Sequence, residues 1–291
     1  MSAVAAARLL VRRAASALHR QPQAGPPRRR LLGLRTEIPR VWYGSAAVLS
    51  FVLLLAGWQW VSHESFVNPV FLPTPLQVAQ TGVEILQGET LLTDMKMSFL
   101  RVTEGFLLSA ILAIPIGLGM GAFRILEGFT QPVTEFIRYV PVPALIPLLM
   151  IFFGIGEMSK VMLIFVGTFF QLVLMVADEV RRVNYELVQV SYTLGATTGE
   201  VVQQVLLRAA LPGIFDALRL CNGWAWTYLI IAELVAANEG LGFRILKFSR
   251  YIQTPKIWVY LILLGIIGLG LDFLFRRFNA RVFAWADTTK R

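Results

Sequence analysis

Six apolar runs set the terms on which this chain can fold. They occupy roughly residues 42–61, 99–123, 132–153, 159–180, 213–237 and 257–275. Each is close to the roughly 20 residues that a helix needs to cross the hydrocarbon core of a bilayer. Backbone placed in hydrocarbon has to satisfy its own polar groups, and a helix does so within a single segment. The pattern therefore predicts an all-α membrane protein with about six spans. Composition agrees. Of 291 residues, 56% are hydrophobic and 15% charged, where a soluble domain carries about 25% charged residues.

The third run contains Pro141, Pro143 and Pro147. Each proline removes a backbone donor and crowds the preceding turn, so this run cannot be one straight helix. Irregular backbone at membrane depth must be packed in protein or line a cavity. Outside the runs, residues 1–40 form a basic N-terminal segment in which Arg8, Arg12, Arg13, Arg20, Arg28, Arg29, Arg30, Arg35 and Arg40 face one acid, Glu37. That composition fits either a disordered cytoplasmic tail or an organelle transit peptide. Residues 41–285 form the membrane domain and 286–291 a short tail.

Basic residues also flank the loop over 181–212 and the C-terminus, at Arg181, Arg182, Arg208, Arg276, Arg277 and Arg281. The positive-inside rule places these segments and both termini in the cytoplasm, as in a multi-pass plasma (inner) membrane protein. Residues 238–256 disagree, since Arg244, Lys247, Arg250 and Lys256 fall on the outer side. They are either a local exception or a basic outer vestibule for anions. Residues 76–97 read as an amphipathic helix on the external surface.

The loop over 183–212 is too polar to span a bilayer and too patterned to be slack. Leu187, Val190 and Leu194 share one helix face. Gly195 stands where a helix end favours a left-handed residue. Thr197 and Glu200 have capping-box spacing, which starts a second helix through Val201, Val202, Val205 and Leu206. Leu211 and Pro212 are expected to end that helix before the fifth span.

At this point the chain resembles a family. The segment QVSYTLGATTGEVVQQVLLRAALP is similar to the EAA loop of permease subunits of ATP-binding-cassette importers. That loop reads Glu-Ala-Ala, three residues, Gly, nine residues, then Ile-x-Leu-Pro. FLPTP at 71–75, SFLRVTEGF at 98–106 and VPVPALIPLLMIFFGIGEMSK at 140–160 resemble the nitrate, sulfonate, taurine and bicarbonate group. Two departures stand out. Gln189, Val190 and Ser191 occupy the Glu-Ala-Ala positions, and Arg208 stands in place of the first proline.

The resemblance implies a type I importer permease bundle with a cytoplasmic coupling helix-turn-helix. It implies that Gln189, Gly195, Ala196, Thr197, Glu200, Val205, Leu207 and Pro212 serve ATPase coupling. It also implies a second permease copy, two cytoplasmic ATPase subunits that carry ATP and Mg, and an extracytoplasmic solute-binding protein. The chain has no G-x-x-x-x-G-K-[ST] phosphate loop, so hydrolysis belongs to another chain and this one is a transporter subunit rather than an enzyme.

Charges inside spans usually face protein or water. In the fifth run Arg219, Gly223, Trp226, Ile230 and Glu233 share one helix face. They either line a translocation path, or Arg219 and Glu233 snorkel to opposite interfaces. Arg138, in the broken run, is a further path candidate. Asp272 and Arg276 are spaced to pair. Ala113, Gly117 and Gly121, and Gly265, Gly268 and Gly270, read as helix-packing surfaces. His19 and His63 are isolated and Cys221 is the one cysteine, so neither a metal site nor a disulfide is expected. The net charge of +9 sits at the ends of apolar runs, which favours lipid over nucleic acid. A secondary transporter or a channel not coupled to ATP is the alternative, although intramembrane ion ligands and inverted repeats are not evident.

Overall fold

The computed structural model describes residues 39–64 and 67–286. The basic leader and the final residues, where the tail or transit-peptide question lies, fall outside that range. The described residues are helical apart from short connections, in two units that divide between Gly57 and Trp58. The first unit holds helix α1 (Arg40–His63) as far as Gly57, and there Val48, Leu49, Phe51, Val52, Leu53 and Leu54 are all exposed. Apolar side chains on every face suit a helix surrounded by lipid.

In the second unit the order is α2 (Pro75–Leu86), α3 (Thr90–Ala122), α4 (Arg124–Arg138), a 3₁₀ turn (Val142–Leu145), α5 (Ile146–Phe153) and α6 (Glu157–Arg181). There follow α7 (Tyr185–Thr193), α8 (Thr198–Glu200), a π-helical segment (Val201–Leu206), α9 (Leu207–Ala236), α10 (Leu241–Arg250) and α11 (Thr254–Val282). Among the described residues five helices are long and apolar enough to cross a membrane, and α4 with the 142–153 segment, bent by 90°, is either a sixth, broken span or a re-entrant loop. The bend falls at Tyr139–Pro141, where the prolines predict it.

Helices α3 and α6 lie against each other along most of their length. Gly105, Ser109, Ala113, Gly117 and Gly121 place a small residue at every fourth position of α3. A Cβ added at Gly117 would come within 2.7 Å of the Val173 carbonyl oxygen, and one at Gly121 within 2.8 Å of that of Ala177. Those contacts are with backbone, which cannot rotate away. Gly117→Val should therefore force α3 from α6 and destabilise the protein by about 1–3 kcal/mol or more. Monodisperse protein recovered from membranes, with its melting midpoint, is the measurement; an unchanged midpoint would contradict the packing account.

Three expectations need correction. Gly265, Gly268 and Gly270 have nothing within 4 Å of an added Cβ. They lie on a helix whose Leu261, Ile266, Leu269 and Phe273 are exposed, so no described element covers that face. Residues 76–97 are not one surface helix. The Thr74–Gln77 capping box starts α2, which stops at Gln87, and α3 begins at Thr90 and takes 90–97 into a span. Pro212 ends no helix either, because residues 198–235 run as one helix through the π-helical segment with Pro212 inside it. A proline forfeits one bond to its i−4 carbonyl, a loss that packed membrane helices tolerate.

Candidate functional site

Two structures stand out at opposite ends of the bundle, with a cavity between them. At the end that carries Arg181 and Arg182, α7 is capped by Asn184, whose Oδ1 accepts the Glu186 N–H at 3.0 Å. It closes with a Schellman motif. The Gly195 N–H donates to Tyr192 O and the Ala196 N–H to Ser191 O, both at 3.0 Å. Gly195 has φ +86°, the left-handed conformation that glycine adopts without penalty. The chain then turns into the Thr197–Glu200 capping box, where the Thr197 N–H donates to Glu200 Oε2 at 2.7 Å.

Of the coupling candidates, Gln189, Gly195, Thr197 and Glu200 are exposed, and Ala196, Val205, Leu207 and Pro212 are half-buried. Leu187, Val190 and Leu194 are 48%, 55% and 82% exposed, so the predicted stripe faces outward. These apolar side chains stand on an otherwise polar hairpin.

At the opposite end lies an ionic cluster, largely buried except at Glu157, whose side chain is 52% exposed. Arg101 of α3, 3% exposed, binds Glu157 of α6 in a fork, Nε to Oε2 at 2.5 Å and Nη2 to Oε1 at 2.9 Å. Its Nη1 donates to Glu233 Oε1 of α9 at 2.7 Å and to the Glu239 carbonyl at 2.8 Å. Glu233, with no exposed surface, also accepts from Ser98 Oγ and the Gly242 N–H, each at 2.8 Å. Asp94, equally buried, accepts the Gly240 N–H at 2.9 Å and Arg244 Nε at 2.6 Å. Lys160 Nζ completes the set on Glu157 Oε1 at 2.7 Å.

Three cations thus meet three carboxylates. The amides that open α10, which no intrahelical carbonyl can satisfy, are satisfied by side chains of α3 and α9. Gly240, at φ +124°, lets the chain pass over Glu233. The cluster fastens α3, α6, α9 and α10 together. Arg244, counted above among the outer basic residues, is turned inward onto Asp94.

The five residues read as one face of α9 meet different surroundings. Arg219 is partly exposed, 3.7 Å from both Asp216 and Asp272. Gly223 is exposed, Trp226 is buried beside Phe99, Ile230 is half-buried, and Glu233 lies in the ionic cluster. Glu233 has no exposed surface in the described chain and is held by its ion-pair and hydrogen-bond partners. Periodicity aligns residues on a helix without saying what covers them. Asp272 does pair with Arg276. Arg101, Glu157, Asp94, Ser98 and Lys160 were not singled out as functional residues from sequence. The available signal was that Arg101 and Lys160 are charges inside apolar runs.

A cavity of about 270 Å³ opens beside the broken span. Arg138 lines it, with Gln171, Phe170, Trp224, Thr227 and Tyr228. It uses a neighbouring face of α9, so Arg138 is not brought together with the other path candidates. The Tyr228 ring rests against Gly167, where any side chain would overlap it.

Comparison with known proteins agrees with this architecture. Residues 105–284 match the family described as "Binding-protein-dependent transport system inner membrane component". A probable ABC transporter permease protein of Brucella abortus is 34% identical over 82% of this chain and 95% of its own length. A putative aliphatic sulfonates transport permease protein of Bacillus subtilis is 30% identical over 90% of this chain and 95% of its own. The taurine transport system permease protein of Escherichia coli is 31% identical, with 81% and 88% covered. Among solved structures, an inward-facing form of the MetNI methionine ABC transporter aligns with TM-score 0.60 and 22% identity, over 66% of this chain and 96% of that one. A bacterial ABC transporter that imports alginate aligns with TM-score 0.54 and 13% identity, over 84% and 100%. With a helical bundle of this order and a hinged helix pair between its spans, the chain belongs to the binding-protein-dependent transport system inner membrane component family and is an ABC transporter permease subunit.

Proposed function

We propose that two copies of this chain form the translocation path of an ATP-driven importer for a small anionic solute of the nitrate, sulfonate, taurine or bicarbonate type. The observation that carries this reading is the hairpin at 184–206. Its first helix presents an apolar face, and its second continues without a break into a membrane span. A partner that moves the hairpin therefore moves the span, a rigid-body transition. On this reading the hairpin and both termini are cytoplasmic, two ATPase subunits dock on Leu187, Val190 and Leu194, and an external binding protein delivers solute to the end that holds the ionic cluster. ATP and Mg sit on the ATPase chains. The anionic solute is supported by the names of the sulfonate and taurine relatives and by Arg138 in the cavity wall.

The test is uptake into proteoliposomes that contain the permease with its ATPases. Uptake should require ATP and loaded binding protein, and should persist when ion gradients are collapsed. Uptake driven by a gradient without ATP would refute the reading in favour of a secondary transporter.

Two further results are expected. Gln189→Glu should raise the ATPase retained on co-purification by about two- to threefold, because a carboxylate accepts stronger, charge-assisted hydrogen bonds than an amide. Less ATPase retained than in the wild type would argue against contact at this position. Deletion of residues 1–30 should leave uptake within about twofold of wild type, since the family match, at residues 105–284, lies beyond them. Loss of uptake with normal membrane insertion would contradict it.

A further inference from the structure

The cavity beside the broken span holds a positive charge that no carboxylate of the described chain balances. Arg138 ends α4 just before the proline break, and no Asp or Glu lines the cavity. Its Nη2 donates to the Tyr139 Oη at 3.3 Å, and its Cζ lies 5.1 Å from that ring's centre. The acids on α4 are engaged elsewhere. Glu135 accepts Gln131 Nε2 at 2.8 Å, and Glu127 pairs with Arg124 and Arg181. By contrast, Arg101, Arg219 and Arg244 face carboxylates at 2.7, 3.7 and 2.6 Å.

The cavity is open, with Arg138, Trp224 and Thr227 exposed, and it lies beside the middle of two spans. Its walls include Gly167 and Gln171, near the middle of the 25-residue α6, and Thr227 and Tyr228, inside the 30-residue α9. At 1.5 Å per residue, Gln171 is about 15 Å along the axis from Arg181 and about 21 Å from Glu157. A guanidinium beside such a wall usually faces another charge or a watered path.

The donors describe what would balance it. A guanidinium offers a planar fork to two acid oxygens. Gln171, Thr227 and Tyr228 add an amide and two hydroxyls from two other helices, which suits a head with a third oxygen. Phe170 and Trp224 give a short organic tail an apolar wall. A volume near 270 Å³ admits a small molecule only, below most drug-sized pockets. We propose that this cavity is a binding subsite for a small organosulfonate, with Arg138 on its head group, so that the permease itself selects for charge. The proposal rests on the transport reading above and assigns it a residue.

The experiment is equilibrium binding of radiolabelled ethanesulfonate to the purified permease–ATPase complex without binding protein. Wild type should bind saturably, and ethyl methyl sulfone, of similar size but uncharged, should not compete. Arg138→Gln should weaken binding at least tenfold. Arg138→Lys, which keeps the charge and loses the fork, should weaken it about threefold and covers the case in which the glutamine variant is not monodisperse. No saturable binding by wild type up to about 10 mM, where site affinity would be negligible, would overturn the subsite. So would equal affinity in wild type and both variants, which would leave Arg138 to a carboxylate of a second copy. ATP-driven uptake measured in parallel separates the two readings. Wild-type uptake rates in Arg138→Gln sink the subsite and leave the permease assignment standing, whereas absence of ATP-dependent uptake in wild type sinks the transport reading.

Discussion

Gly195→Val will insert and assemble in the membrane, yet ATP hydrolysis stimulated by loaded binding protein will fall at least tenfold. The residue sits at φ +86°, and nothing lies within 4 Å of the position its Cβ would take. The defect is therefore one of backbone and not of crowding. A β-branched residue held in that conformation costs about 1–3 kcal/mol. The Schellman bonds from Gly195 and Ala196 offer little to hold it there, so the turn should relax and α7 should swing relative to the 198–206 helix. Side-chain chemistry gives the control. Gly195→Asn should keep most of the activity, because asparagine tolerates the left-handed region, and Gly195→Ala should fall between. ATPase co-purification and stimulated hydrolysis are the measurements. Full coupling in the valine variant would mean that this turn does not carry force.

Glu233→Ala is expected to act on folding before it acts on transport. It removes the acceptor of Arg101 Nη1, Ser98 Oγ and the Gly242 N–H at one stroke. Removing one member of a buried ion pair costs about 3–5 kcal/mol, since the other charge stays buried and unbalanced. Arg101 keeps Glu157, which places the expected loss at the lower end of that range. Membrane yield and melting midpoint should both drop. Glu233→Gln, which retains an acceptor, should be milder. Arg101→Met combined with Glu233→Leu should be less harmful than the two single losses added together, as coupled residues are not additive. A wild-type midpoint for Glu233→Ala would show that the cluster does not fasten these helices.

What could be read from the residues divides along a physical line. Features set by local backbone chemistry were legible: the bend at Pro141, the left-handed turn at Gly195, the Thr197–Glu200 cap. Features that depend on which helix covers which were not. Gly117 and Gly268 look alike in sequence, but one meets the Val173 carbonyl and the other open space. Arg101 and Glu233 are separated by 132 positions, and only the packing of α3 with α9 joins them. Pro212 misled because proline is a reliable breaker in water, while a packed membrane helix can absorb it.

The unbroken helix from Thr198 to Val235 is a lever with a fixed end. Its 38 residues span about 57 Å at 1.5 Å per residue. Glu233 clamps one end to α3 and α10, and near the other end Val201 is buried at 2% exposure. A tilt of about 5° about Glu233 would carry the hairpin end through about 5 Å, close to one helical turn, and the packing around Ala210, Ile214 and Ala217 with it. The same geometry works in reverse. A displacement of one turn at the hairpin would arrive at the clamped end as only a few degrees of tilt, a change that ion pairs can follow without parting.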